Sequence, residues 1–312
     1  MAGMSARIRR SPFRLSQTAQ EEVAGWLFAS PWIIGFLGLT AIPMAASLVL
    51  SFTNYDMFLT PKWVGVQNYV RLAAQDNLVW HSLKVTTVFA LISVPLNLVF
   101  GFLLALLLNQ NITGLSIWRT IFYLPSVITG ISVMILWMLI LSPQYGMVNA
   151  MLARIGIAGP NWLGSPQWAL LSLALMSLWG VGGGMLIYLG GLQGIPSEYY
   201  DAAVVDGANS MQKFLHITLP MMSPVIFFNL VMGIIGALQT FDAAFMMTGG
   251  GPAWSTYFYM LHLFTKAFEE LRMGYASGLA WVLFIYIMVL TALVFRFSQA
   301  YVFYESAAKE SK

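Results

Sequence analysis

Apolar residues dominate the chain in long runs that charged positions seldom interrupt. Six stretches contain no Asp, Glu, Lys or Arg, and each has at least 23 residues: 23–55, 85–118, 120–153, 155–197, 214–241 and 273–295. A helix rises 1.5 Å per residue, so about 20 apolar residues cross the roughly 30 Å hydrocarbon core of a bilayer. Each stretch can therefore hold one membrane-spanning helix.

A seventh uncharged stretch, 243–265, contains the glycines and proline of Thr248-Gly249-Gly250-Gly251-Pro252. Irregular backbone cannot face lipid, so we interpret this stretch as the end of the fifth helix followed by a loop. The sequence predicts an all-α polytopic membrane protein. Its six spans are placed at 24–52, 80–108, 117–141, 168–192, 222–247 and 275–303. They form one transmembrane domain, 23–305, between tails 1–22 and 306–312.

The composition agrees with a lipid environment and excludes several kinds of protein. Of the 312 residues, 59% are hydrophobic and 9% are charged, whereas about a quarter of a soluble domain is charged. The chain has no cysteine, no basic stripe for nucleic acid and no phosphate-binding loop. Its three histidines lack metal-ligand spacing. We therefore expect no enzyme activity, no metal and no ATP hydrolysis by this chain itself.

Orientation follows from the basic residues, because cytoplasmic loops are enriched in Lys and Arg. Arg7, Arg9, Arg10 and Arg14 precede the first span, and the side that carries them holds the excess of Lys and Arg. This bias predicts that both termini are cytoplasmic.

The segment 196–216 is the longest non-spanning stretch on that inner side. Pro196 and Ser197 favour a helix start, Glu198 and Asp201 fall in its first turn, and Gly207 interrupts it. Periodicity alone leaves an interfacial helix resting in headgroups as an alternative. The segment carries Glu198, Asp201 and Asp206 but only one basic residue, Lys213, so anionic lipid headgroups would not attract it. Asp206 is equally compatible with capping a helix that starts after the interruption at Gly207 and with contacting a partner.

This segment resembles a known family at every element of its signature loop. Asp201-Ala202-Ala203 is followed after three residues by Gly207, and after nine more by Ile217-Thr218-Leu219-Pro220. The pattern is similar to that of permease subunits of type I ATP-binding-cassette importers. The carbohydrate group, related to the larger maltose permease in a short six-helix form, fits best. Leu124-Pro125-Ser126 and Gly249-Gly250-Gly251-Pro252 extend the resemblance over roughly 20–305. Asp201 replaces the usual Glu.

The resemblance implies a type I ABC importer permease fold with a cytoplasmic coupling helix. Docking on an ATPase would fall to these positions: Glu198, Asp201, Ala202, Ala203, Asp206 and Gly207. It implies a heterodimer with a second homologous permease, a cytoplasmic ABC ATPase dimer that holds ATP and Mg²⁺, and an extracytoplasmic solute-binding protein. The chain itself would need no cofactor. It would move a sugar or oligosaccharide across a bacterial or archaeal cytoplasmic membrane by alternating access.

The predicted substrate path lies on the fourth and fifth spans. Asn229, Gly233, Gly236 and Thr240 share one helical face, with Gln239 and Asp242 just beyond. The resemblance places sugar contacts at six positions: Trp179, Gly180, Gly183, Gly236, Gln239 and Thr240. Two alternatives remain. Gly180 and Gly184 form a GxxxG pattern that also suits close helix packing. Asp242 also suits a structural carboxylate near the outer face.

Other transport classes remain as alternatives. Uronic-acid oligomers and polyol phosphates are substrates within the same branch, but no span carries Lys or Arg in its middle, which favours a neutral sugar. An ion-gradient-driven secondary transporter would need buried titratable residues, and only Asp242 comes near. A membrane-embedded enzyme would need clustered His or carboxylates.

Overall fold

The structure is a computed structural model that describes residues 16–58, 60–110, 113–128 and 130–298. Twelve helical elements are numbered in chain order: α1 Gln17–Ser51, α2 Gln67–Ala74, α3 Asn77–Leu108, α4 Leu115–Val127, α5 Ile131–Ile140, α6 Met147–Arg154, α7 Pro166–Gln193, α8 Ser197–Val205, α9 Ser210–Leu238, α10 Ala244–Thr248, α11 Tyr259–Phe264, which a π-helical turn, Thr265–Glu269, continues, and α12 Met273–Ser298. The described chain also has one antiparallel hairpin, which pairs β1 Thr53–Asn54 with β2 Lys62–Trp63.

Five of these helices are long and apolar enough to cross a membrane: α1, α3, α7, α9 and α12. The count reaches six when the bent pair α4 and α5 is taken as one span. The all-α polytopic fold predicted from the sequence is therefore confirmed. The N-terminal arginines and the tail 306–312 lie outside the described residues.

The third span is not the single helix predicted at 117–141. α4 and α5 are inclined to each other by 102°. The chain leaves α4 through Ile128 in extended backbone and enters α5 at Gly130, whose φ of +85° suits glycine. The absence of charged residues, from which the span was predicted, does not reveal this turn, because apolar residues continue on both sides of it.

The fifth span also differs from its prediction at 222–247. α9 begins at Ser210 and ends at Leu238. Pro220 has no N–H to donate, and the helix passes it through a π-helical turn, Phe214–Thr218, in which Leu219 N–H donates to Phe214 O. At the other end Gln239 N–H donates to Gly236 O three residues back, and the helix stops.

Two ends of the bundle serve as reference points. The elbow end carries α8 and the start of α9, and the hairpin end carries β1, β2, α2 and α11. Between them, α3 packs along α7 and α9, while α12 packs against the last ten residues of α1. The first twenty residues of α1, Gln17–Phe36, have no buried residue. The packed core is therefore built around α3, and most of α1 lies free of it.

Candidate functional site: a central cavity and an exposed elbow

The elbow comprises α8, residues 206–209 and the first turn of α9. α8 ends in a Schellman motif, in which Ala208 N–H donates to Ala203 O at 2.8 Å and Gly207 N–H donates to Val204 O at 3.0 Å. Gly207 has a φ of +76°, in the left-handed region that favours glycine. The interruption predicted at Gly207 is therefore present, and its cause is a helix C-terminus.

Asn209 starts the next helix with a capping box. Its Oδ1 accepts from Gln212 N–H at 2.9 Å, and Gln212 Oε1 accepts from Asn209 N–H at 2.8 Å. The capping role considered for Asp206 thus belongs to Asn209. Asp206 ends α8 instead, and its side chain is exposed.

The outer surface of the elbow is both acidic and apolar. Glu198, Asp201, Ala202, Asp206 and Gly207 are all exposed, and Ala203 is half-buried. Val204 and Val205 are 58% and 88% exposed, close to these acids. The predicted docking residues therefore share one accessible segment.

The elbow is joined to the transmembrane bundle by a side-chain hydrogen bond. Tyr200 OH of α8 and Thr218 Oγ1 of the π-helical turn lie 2.9 Å apart. Because α9 continues from Ser210 to Leu238, the same helix connects the elbow to the middle of the bundle. The elbow and the middle of the bundle are therefore connected both by one continuous helix and by this hydrogen bond.

A central cavity of about 380 Å³ lies among α3, α7 and α9. Five predicted path residues line it: Gly180, Asn229, Gly233, Gly236 and Thr240. Four other polar residues line it that the sequence did not single out: Ser93, Asn97, Ser177 and Tyr188. Among the described residues no Asp, Glu, Lys, Arg or His lines it. The cavity is therefore polar in places but uncharged.

Hydrogen bonds fix the amides at the cavity wall. Asn97 Nδ2 donates to Ser93 O at 2.8 Å and to Ser177 Oγ at 2.7 Å, which joins α3 to α7. Asn229 Nδ2 donates to Val225 O at 2.9 Å. Ser93 and Asn97 are one helical turn apart on α3. Polar residues at this spacing could have indicated a third wall on α3.

Four predicted path residues do not line the central cavity. Trp179 lines a smaller cleft beside Gly130 and Ser126, with its ring edge-on to Trp137 at 5.9 Å. Gln239 lines an apolar groove between α9 and α12. Asp242 is exposed and follows the end of α9, so it does not lie deep in a span. Gly183 faces open space. That these four residues contact substrate stays a prediction.

The glycines of α7 divide into packing and cavity positions. A Cβ on Gly182 would overlap the Phe122 carbonyl oxygen of α4, and a Cβ on Gly191 would lie 2.8 Å from Val225 of α9. A Cβ on Gly180 would have no atom within 4 Å, and both Gly180 and Gly184 line the cavity. Within this chain the close helix approaches are therefore made at Gly182 and Gly191 rather than at the GxxxG pair.

A buried cluster at the hairpin end was not predicted. Asp76 caps α3 by accepting from Leu78 N–H, and its Oδ2 accepts from Tyr275 OH at 2.9 Å. His262, fully buried, places Nε2 at 3.2 Å from the same oxygen and Nδ1 at 3.2 Å from Tyr257 OH. A neutral His262 that donates through Nε2 and accepts through Nδ1 satisfies all of these contacts. The cluster therefore ties α3 to α11 and α12.

Burial lowers the pKa of His262 against the opposing attraction of Asp76. Burial alone would raise the pKa of Asp76, but the Tyr275 hydroxyl and the charges of His262 and Lys266 together hold it below its ordinary value. In both cases the folded protein binds fewer protons than the unfolded chain in acid. The free energy of unfolding that depends on these two groups is therefore largest at neutral pH. It falls as the pH falls, first below about 6.5, where His262 would have to be protonated, and then through the carboxyl range.

We accordingly expect the thermal unfolding midpoint of the purified protein to fall between pH 7.5 and pH 5. His262→Gln removes the titrating group and should flatten this dependence. His81→Gln is the matched control, because His81 is exposed and its Nε2 lies 3.0 Å from the Trp254 carbonyl oxygen, away from the cluster. An unchanged slope in His262→Gln would contradict the assignment.

A bundle of apolar helices around a central cavity with polar lining is typical of a membrane transport protein. Residues 97–302 match the family described as binding-protein-dependent transport system inner membrane component, and the chain belongs to this family. The resemblance stated from the sequence is thereby confirmed. The chain is a permease component of an ABC transporter.

Relatives of known name match most of the chain. A probable ABC transporter permease protein, YesP of Bacillus subtilis, is 47% identical over 92% of this chain and 94% of its own. The trehalose/maltose transport system permease protein MalF of Thermococcus litoralis is 32% identical over 87% and 92%. A crystal structure of a bacterial ABC transporter for import of the acidic polysaccharide alginate matches with a TM-score of 0.79 at 24% identity, over 91% of this chain and 99% of that one. At this identity the match shows the fold.

Proposed function

We propose that the chain is one permease subunit of an ATP-driven importer for neutral sugars or oligosaccharides. The uncharged central cavity carries this proposal, since its hydroxyl and amide groups suit a neutral, hydroxyl-rich solute. Relatives named for trehalose/maltose and lactose transport support the sugar class. The absence of a charged group among the described lining residues weighs against uronic-acid oligomers, polyol phosphates and proton-coupled secondary transport.

Coupling would proceed through the elbow. In this proposal a cytoplasmic ABC ATPase dimer, which binds ATP and Mg²⁺, holds the acidic and apolar surface of Glu198, Asp201 and Val205. Movement of that surface displaces α9, both through the peptide chain and through the Tyr200–Thr218 hydrogen bond. α9 carries Asn229, Gly233 and Gly236, so one wall of the cavity shifts relative to α3 and α7.

Surfaces that the described chain leaves uncovered support the remaining proposed partners. A second homologous permease would cover the apolar residues of α1, of which Trp26 and Phe28 are 70% and 88% exposed. The hairpin end would receive an extracytoplasmic solute-binding protein, and both termini would lie in the cytoplasm. A crystal structure of an alginate ABC transporter in complex with its sugar-loaded periplasmic protein has the same fold, with a TM-score of 0.78.

Affinity purification of the tagged chain tests the assembly. We expect the native protein to bring down a sister permease and an ABC ATPase. Asp201→Lys should reduce ATPase recovery at least tenfold and leave recovery of the sister permease unchanged, because it reverses a charge on the exposed elbow alone. Glu269→Lys, a reversal of an exposed carboxylate at the hairpin end, is the control and should retain both partners.

Two results would contradict the proposal. One is full ATPase recovery with Asp201→Lys. The other is continued sugar uptake in cells whose ATPase carries a substitution of its phosphate-loop lysine, which would indicate an ion gradient as the energy source.

A further inference from the structure

The amide of Asn97 on α3 and the hydroxyl of Ser177 on α7 meet at the wall of the central cavity. Asn97 Nδ2 donates one hydrogen to Ser93 O at 2.8 Å and the other to Ser177 Oγ at 2.7 Å. The bond to Ser93 O fixes the orientation of the amide, because a carbonyl oxygen only accepts and the atom that bonds to it must be the nitrogen. Both hydrogens of the Asn97 amide are therefore used within the protein.

The oxygen of the same amide has no partner within the described chain. Asn97 Oδ1 accepts no hydrogen bond there, and it is not one of the fully buried atoms that lack a partner. Asn97 is half-buried and lines the central cavity, so this oxygen is open to the cavity. Its two lone pairs are therefore available to a solute.

Ser177 Oγ is committed in the same way. It donates its single hydrogen to Ala174 O at 2.6 Å and accepts from Asn97 Nδ2, which leaves one lone pair. Ser177 is also half-buried and lines the same cavity. Asn97 and Ser177, here called the acceptor pair, thus offer lone pairs to the cavity and no hydrogen.

The acceptor pair lies beside Gly180, one of the predicted sugar contacts. Ser177 and Gly180 are three residues apart on α7, which is about 5 Å along the helix axis. The chain between them forms a 3₁₀ turn, Leu178–Gly180, and residues three apart lie on the same side of such a turn. Both residues line the cavity, and no atom lies within 4 Å of a Cβ added to Gly180. A solute in the open space at Gly180 can therefore reach the acceptor pair.

We propose that Asn97 and Ser177 determine substrate specificity by accepting hydrogen bonds from a hydroxyl group of the solute. This inference rests on the proposed sugar transport and adds one requirement, that the solute group at this position must donate. A sugar hydroxyl donates, whereas an ionised carboxylate, a phosphate oxygen and a C–F group do not. Such groups leave the acceptor pair unsatisfied, and negatively charged ones are repelled by its lone pairs. Selection against anions at this position therefore needs no charged residue.

Monodeoxyfluoro sugars test the inference, because fluorine replaces a hydroxyl of similar size and cannot donate. The complete transporter is reconstituted in proteoliposomes with its partner subunits and its binding protein. Uptake is measured for a panel of radiolabelled neutral mono-, di- and oligosaccharides that includes maltose, trehalose and lactose. It is then measured for the monodeoxyfluoro analogues of the sugar that is taken up fastest, each at a concentration that saturates the binding protein. The readout is the ratio of analogue uptake to parent uptake.

Three variants are compared with the native transporter. Asn97→Leu removes the amide oxygen and keeps a side chain of similar size, and Ser177→Ala removes the hydroxyl oxygen. Thr87→Val is the matched control on α3, because Thr87 Oγ1 also bonds to another helix, at 2.9 Å from Tyr286 OH of α12, but Thr87 does not line the central cavity. Since the same binding protein serves every variant, a change of the ratio between variants reports the permease.

In the native transporter we expect at least one analogue with a ratio below about one fifth. Asn97→Leu should lower uptake of the parent sugar at least fivefold and bring this ratio close to one, because neither sugar then meets the amide oxygen. Ser177→Ala should raise the ratio at least twofold, and this result decides the question if Asn97→Leu does not assemble. Thr87→Val should leave the ratio unchanged, whatever it does to the thermal unfolding midpoint.

Two results would overturn the inference and leave the proposed function standing. One is a native ratio near one for every analogue. The other is a native ratio in both Asn97→Leu and Ser177→Ala, which would show that the bond between Asn97 and Ser177 only joins α3 to α7. Failure of the unmodified transporter to take up any sugar in the panel would contradict the proposed function itself.

Discussion

Gly207→Val is expected to reduce transport at least tenfold while the protein remains at its normal level in the membrane. Gly207 ends α8 with a φ of +76°, and a residue other than glycine in this region costs about 1–2 kcal/mol, with β-branched residues the least tolerated. The cost arises from the backbone, because no atom lies within 4 Å of a Cβ added there. Valine would therefore reorient α8 and separate the docking surface from α9.

Gly207→Asn distinguishes this mechanism from a simple need for a small residue. Asparagine adopts the left-handed conformation more readily than other residues with a side chain, so this variant should keep more than half of native transport. Sugar uptake and membrane immunoblots measured side by side give both values. Native uptake by Gly207→Val would show that the geometry of the elbow does not matter for coupling.

Gly182→Ala should produce the largest loss of stability among glycine substitutions in α7. Its added methyl group would overlap backbone atoms of Phe122 in α4, which cannot rotate away as a side chain can. Overpacking of this kind costs about 1–3 kcal/mol and occasionally more. We expect a lower thermal unfolding midpoint in detergent and a smaller folded fraction after purification.

Gly180→Ala, two residues away, is the matched control. The same methyl group meets no atom within 4 Å there and projects into the central cavity. We expect native or slightly higher stability together with reduced sugar uptake. Equal unfolding midpoints for the two variants would contradict the division of α7 into a packing face and a cavity face.

The elbow is the part of the site that the sequence predicts best. Its start at Ser197 and its interruption at Gly207 depend on local hydrogen bonds between residues at most six apart, so the pattern of neighbours contains the necessary information. For Asp206, however, the sequence leaves two roles open, a helix cap and a contact with a partner. A neighbouring residue, Asn209, has the reciprocal bond with Gln212 that decides which of the two caps α9.

The cavity was predicted less completely, because a lining residue depends on how each helix is rotated against its neighbours. The face of α9 that carries Asn229, Gly233 and Gly236 follows from helical periodicity, and it does line the cavity. Gln239 is adjacent in sequence, yet it points into another groove once α9 ends at Leu238. Ser93 and Asn97 of α3 join the site only through the packing of α3 against α7.

The sequence by itself determined the environment and the class of this protein. Uncharged runs long enough to cross a bilayer required lipid as solvent, and a short signature loop specified the elbow, because both depend on interactions within a single helix or turn. Tertiary structure alone decided the contacts between distant segments. Asn97 meets Ser177 across 80 residues and Asp76 meets His262 across 186. Such pairs depend on the packing of whole helices, which one-dimensional periodicity does not record.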